Sequence, residues 1–193
     1  MTAAVPKTAR WLNTQERYGA VSILLHWAMA LLLVAVYATM ELEDVLPGGE
    51  GEGAMEAWHY TLGLGVLVLV AVRLAMRLIG STPLIHPQPP TWQRVLAKLT
   101  HLALYLFMIA MPLLGWLTLS GEHESARIPG PGWTIPLLPG VDESAGEAAE
   151  ELHEVVAVLG YWLVGLHTVA ALVHHYLIRD DTLRRMLPRR SRA

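Results

Sequence analysis

Four runs of about twenty apolar residues, near 21–40, 59–79, 99–119 and 155–177, constrain this chain more than any other feature. A helix of that length rises about 30 Å, the thickness of a bilayer's hydrocarbon core. Lipid offers the backbone no hydrogen-bond partners, so each run must satisfy its own N–H and C=O groups as a helix. An even number of crossings returns the chain to the side it started from. The predicted fold is therefore all-α: an integral-membrane antiparallel four-helix bundle in a single membrane domain, 1–193, with both termini on one side. Pro112 should kink the third helix locally. The chain is 53% hydrophobic with a mean hydropathy of +0.39, more apolar than a soluble core of 193 residues requires. Seven tryptophans against one phenylalanine suit membrane interfaces, where Trp27, Trp58, Trp116 and Trp162 are expected as anchors or packing residues. The first run follows Lys7, Arg10 and Arg17 but does not read as a removable leader. It is too long for one, ends in the acidic stretch YATMELEDV without a small-residue cleavage pattern, and carries a histidine.

Charge orients the bundle. Lys7, Arg10 and Arg17 precede the first run, Arg73, Arg77, Arg94 and Lys98 flank the connection between the second and third, and Arg179, Arg184, Arg185, Arg189, Arg190 and Arg192 follow the fourth. By the positive-inside rule the termini and the middle connection are expected to be cytoplasmic. The loops near 41–58 and 120–152 then face outward, with thirteen acids and one base, Arg127, between them. The second of these loops contains IPGPGWTIPLLPG and is expected to lack regular structure over much of its length. No phosphate-cradling motif is present; Gly63 and Gly65 read as sites of close helix or cofactor packing, and no nucleic-acid partner is expected.

Histidines sit inside this apolar frame. His153 and His167 are fourteen residues apart on the fourth run, within about 40° of one helix face and roughly 21 Å apart along its axis. Imidazoles in hydrocarbon are read first as functional, with partners to be named. His59 and His153 both begin outward-starting helices and so lie at similar depth. His26, roughly 12 Å into the first helix from the inner side, matches His167, roughly 15 Å from the inner end of the fourth. The fourth helix thus supplies one ligand to each of two stacked sites, His59 with His153 outside and His26 with His167 inside. Absence of cysteine excludes iron–sulfur clusters on cysteine and C-x-x-C-H haem attachment. Zinc would want three or four convergent ligands, which two histidines per level do not supply. Two imidazoles on one haem iron leave no open position, which suits electron transfer.

Blander readings stand beside this one. A single intramembrane histidine can simply hydrogen-bond a neighbouring carbonyl. His101, near the inner start of the third helix, is the rival inner ligand, or else a polar group beside the site or on the quinone side. His174 and His175 lie near the inner boundary, where an interfacial role is expected. His86 and His123 are expected in solvent. Arg73 and Arg77 either neutralise haem propionates or anchor lipid headgroups.

The stretches RYGAVSILLHW, WHYTLGLGVLVLVAVRLAMRL, HLALYLFMIAMPLLGW and LHEVVAVLGYWLVGLHTVAALVHHYLIRDDTLRRMLP resemble the bacterial di-haem cytochrome b561 family, from Arg17 to Pro188. The resemblance implies a four-helix inner-membrane protein with two haem b groups, whose iron ligands fall on His26, His59, His153 and His167. It further implies superoxide oxidase activity, with electrons passing from superoxide outside the membrane through the haems to ubiquinone; no catalytic side chain is singled out. The acidic outer loops sit uneasily with an anionic substrate, which positive potential would gather faster. The alternative is an electron-transfer subunit whose acidic face docks a cationic periplasmic redox protein. A membrane scaffold without redox chemistry is the third reading.

Overall fold

The computed structural model describes residues 11–15, 17–45, 52–122 and 127–188. Lys7, Arg10, His123, Glu124, Arg189, Arg190 and Arg192, and Glu50 of the first loop, lie outside them. Four long helices account for most of the rest: α1 (Ala20–Val45), α2 (Glu52–Ile79), α3 (Thr91–Gly121) and α4 (Glu143–Val173). Each contains a stretch long and apolar enough to cross a membrane. Among the described residues there is no strand, only one isolated bridge between Arg127 and Thr134.

The helices run past the expected spans. At 26 to 31 residues they are about 39–46 Å long, more than a 30 Å core needs; α1, α2 and α4 gain their extra length at the ends nearest the acidic loops, and α3 at its start, Thr91. Much of the acidic sequence expected to be loop is therefore helix, including 143–152, which Asp142 starts by accepting the N–H of Ala145 at 2.9 Å. What is described of the connection between α3 and α4, 127–142, is irregular but tethered. Trp116 donates its indole N–H to Pro136 O at 2.7 Å, Leu138 N–H binds Ser120 Oγ at 3.0 Å, and Ile135 is buried. α3 continues through buried Pro112, whose missing N–H leaves the Met108 carbonyl without its helical donor.

Neighbours in sequence are neighbours in space: α1 packs on α2, α2 on α3, and α3 on α4. The core is small, centred on Met29, Val66, Val70, Phe107 and Met108. Leucines and valines such as Leu24, Leu31, Val68 and Leu106 face outward, as lipid permits and water would not. Without a hydrophobic drive between helices, close approach depends on small residues. Gly121 and Gly146 meet backbone to backbone where α3 crosses α4, and Gly160 receives the Tyr37 hydroxyl and the Phe107 ring; a Cβ at any of the three would overlap its neighbour.

Both described chain ends lie at one end of the bundle, called here the terminal end. Val21 N–H binds Trp11 O, Leu84 N–H binds Gln15 O, and α4 passes through a π turn (His174–Ile178) and a left-handed Arg179 (φ 62°) into a 3-10 turn (Arg184–Met186). The opposite end, carrying the 127–142 connection, is the far end.

Candidate functional site: two histidine clusters along the fourth helix

At the far end, His59 of α2 faces His153 of α4 with ring centroids 6.1 Å apart and planes crossing at 68°. His59 Nδ1 lies 3.2 Å from Val36 O and 3.3 Å from Thr39 Oγ1, both on α1. The Val36 carbonyl can only accept, so the proton sits on Nδ1 and the Nε2 lone pair is left free for a ligand. Thr39 is itself buried and donates its hydroxyl to Val36 O at 2.6 Å. His153 Nδ1 is buried towards the α3 backbone at Met111 and Gly115 without reaching hydrogen-bond geometry. Gly115 leaves the room: a Cβ there would stand 3.3 Å from His153 Cε1.

At the terminal end, three imidazoles gather. His167 of α4 faces His26 of α1 at 6.4 Å and 82°, and His101 of α3 at 5.6 Å and 67°. His101, expected as the rival inner ligand or as a polar group beside the site, is brought by α3 onto the same histidine. No hydrogen bond to the ring of His26 or His167 occurs among the described residues. Arg73, fourteen residues beyond His59 on α2, reaches this level and donates to Ser22 O at 3.3 Å. Arg77, one turn further, lies with its guanidinium 6.0 Å from the centre of the Tyr105 ring, a cation–π partner distinct from either role expected of it.

The two opposed pairs suit a haem. Metal–imidazole bonds of about 2 Å, with a ring centroid roughly 1.2 Å beyond each nitrogen, put axial imidazoles about 6.3 Å apart across one metal. The measured 6.1 and 6.4 Å match that spacing. The donor set also speaks against zinc, since no group of three or more His, Cys, Asp or Glu side chains converges as a metal cluster among the described residues. Glu154, beside His153 in sequence, is exposed.

His174, His175 and His86 fall outside both clusters. His174 pairs with Asp180 at 2.5 Å, His175 is partly buried beside it, and His86 is exposed with its backbone tied to Asp181. Trp58 and Trp162 are exposed, as interface anchors are, while Trp27 and Trp116 spend their indole N–H groups on backbone carbonyls. Arg127 is exposed on the far-end connection. Sequence reading missed Thr39, Gly115 and Asp180. Nothing in a one-dimensional pattern marks a threonine that will meet a histidine twenty residues later, or a glycine that makes room for one on another helix.

Comparison with known proteins agrees with this picture. The prokaryotic cytochrome b561 family matches residues 17–189. Cytochrome b561 homolog 1 of Escherichia coli K12 is 37% identical over 177 residues, covering 91% of this chain and 99% of that protein. The probable superoxide oxidase CybB of Yersinia pestis is 31% identical over 180 residues, 91% of this chain and 98% of that one. Cytochrome b562 of Cereibacter sphaeroides is 32% identical over 180 residues, 90% and 98% of the two chains.

Proposed function

We propose, for a chain that belongs to the prokaryotic cytochrome b561 family, that it takes electrons from superoxide on one side of the membrane and delivers them to ubiquinone within it. Family membership and four membrane-crossing helices make it a multi-pass electron-transfer protein of the bacterial inner membrane, carrying haem b. The finer reading adds two haems, one held by His59 and His153 at the far end, the other by His26 and His167 at the terminal end. Haem b supplies one-electron chemistry when bound. The net reaction balances: two superoxide anions each lose one electron and leave as dioxygen, while one quinone gains two electrons and two protons.

The observation that carries this reading is the pair of opposed imidazoles at each of two levels of α4, about 21 Å apart by helix rise. His59 and His153 hold and orient at the far end, with Thr39 and Val36 keeping the proton on Nδ1. Arg73, which donates to Ser22 O at the terminal level, is the basic side chain that would neutralise propionate charge there, with Arg77 one turn further. A cytoplasmic terminal end and a periplasmic far end are supported by the basic residues at the terminal end through the positive-inside rule. In the experiment, purified protein shows two b-type haems per chain; superoxide pulses shift its absorption to the reduced form, and added ubiquinone reverses the shift. No shift on pulsing overturns the superoxide reading.

A second reading has its own support. Glu143, Glu147, Glu150, Glu151 and Glu154 are all exposed and share an arc of about 100° on the projecting end of α4, running up to the neighbour of His153. That stripe suits a cationic redox protein as donor. Ionic strength separates the two. Reduction by superoxide speeds up as salt screens the acids, whereas reduction by a cationic protein slows.

A further inference from the structure

Trp27 follows His26 on α1, and its indole meets the imidazole edge-on, centroids 5.4 Å apart at 61°. Its N–H donates 2.6 Å to Met186 O, a carbonyl 159 positions further along the chain. That carbonyl belongs to a segment held on several sides. Asp180, buried, binds His174 Nδ1 at 2.5 Å and the N–H of Thr182 at 2.9 Å, while its own N–H donates to His174 O at 3.1 Å. Asp181 exchanges two hydrogen bonds with His86, N–H to O at 3.3 Å and carboxylate from N–H at 3.0 Å, and pairs with Arg185 at 3.3 Å. Arg185 N–H returns to Asp181 O, and Met186 N–H to Leu183 O. The segment 180–188 is thus a hook tied to α4 and to the α2–α3 connection, and Trp27 ties it to α1.

His26 has need of such a tie. His59, at the other level, has its ring turned by Val36 O and Thr39 Oγ1, whereas the ring of His26 has no hydrogen bond among the described residues. Groups just behind a metal-binding histidine set its orientation and the behaviour of what it binds, and here the neighbour is an indole pinned by the hook.

We propose that Trp27 is the positioning residue for His26, and that the 180–188 hook sets that position through Met186 O. The inference rests on His26 being a haem ligand. Trp27→Phe keeps an aromatic ring and removes only the N–H donor. In a redox titration of the full-length haem-loaded protein, followed by absorption and by electron paramagnetic resonance, one of two one-electron waves shifts. The change in its reduction equilibrium is roughly three- to tenfold, the size of one lost hydrogen bond. The other wave stays put, and both haems remain bound. Asp181→Ala, which loosens the hook without touching α1, moves the same wave in the same direction, and the double variant adds little to Trp27→Phe alone. Two haems with neither wave moved by Trp27→Phe, or both moved equally, overturn the role of Trp27. A shift in Trp27→Phe with none in Asp181→Ala overturns the part given to the hook. A wild-type protein lacking a haem on His26 overturns the functional reading itself, which the haem-to-protein ratio of the wild type reports before any variant is made.

Discussion

The far-end and terminal-end histidine clusters use the same side chain on the same helix but are built differently. At the far end two imidazoles meet, one turned by the hydrogen bond its Nδ1–H donates to α1 and the other given room by a glycine of α3. At the terminal end three imidazoles and an arginine crowd one level, with packing in place of hydrogen bonds to the rings of His26 and His167. The far level is thus set by polar contacts between adjacent helices, and the terminal level by ring packing, with the 180–188 hook tied to Trp27 beside it.

The largest expected effects come from removing a ligand. His153→Ala loses about half of the bound haem, and His26→Ala loses the other half, read as haem-to-protein ratio and as loss of one redox wave; two paired levels predict this split, and loss of both haems in either variant breaks it. His101→Ala sharpens the comparison, because it keeps both haems if His26 is the ligand. A lost haem there, with both retained in His26→Ala, would exchange their roles.

Next in size is Asp180→Asn, which weakens the hook over the terminal end by about 1–3 kcal/mol, the cost of leaving a buried partner unmatched. Burial pushes the Asp180 carboxyl up, but hydrogen bonds from His174 and Thr182 outweigh it and hold the group below the ordinary carboxylate range. Its folded value being depressed, its stabilisation is present at neutral pH and lost as pH falls below about 4 through that value. Melting temperatures from pH 7 to pH 3 should fall less steeply in Asp180→Asn than in the wild type. An unchanged acid slope removes Asp180 from the account.

Gly115→Ala addresses the far level alone. Its Cβ would press on His153 Cε1 at 3.3 Å, closer than most such contacts, so the ring must give way by a few tenths of an ångström. The far-end wave should shift several-fold in equilibrium while the terminal-end wave holds. Thr39→Val is smaller still. It removes one of two partners of His59 Nδ1 and leaves Val36 O, so the loss is at the low end of about 0.5–1.5 kcal/mol and again confined to one wave. A shift of the terminal-end wave in either variant would show that the two levels are not independent.

Much of the fold was legible in the chain because the bilayer imposes a coarse rule: about twenty apolar residues per crossing, with no internal alternation to decode. The same rule hid where the helices end. Hydropathy reports the hydrocarbon boundary, while α4 continues ten residues and more beyond it on an Asp142 cap and an acidic face that solvent accepts. Depth along each helix predicted which histidines could meet, and the structure does bring His59 to His153 and His26 to His167. Depth carries no information about rotation. That is why His101, at the right level on α3, also arrives against His167, and why nothing in the sequence tells that Trp27, expected as an interface anchor or packing residue, turns its indole onto the Met186 carbonyl.

By itself the sequence determined four crossings, the segregation of charge to the two ends and the fourteen-residue spacing on α4, because each of these follows from local composition and from a helix's fixed rise. Only the tertiary structure decided which rings share a level side by side, which carbonyl turns His59, and which glycines let α3 and α4 touch. Those depend on helix rotation and close packing between segments far apart in the chain, where a side chain's neighbours are chosen by contacts that no local pattern encodes.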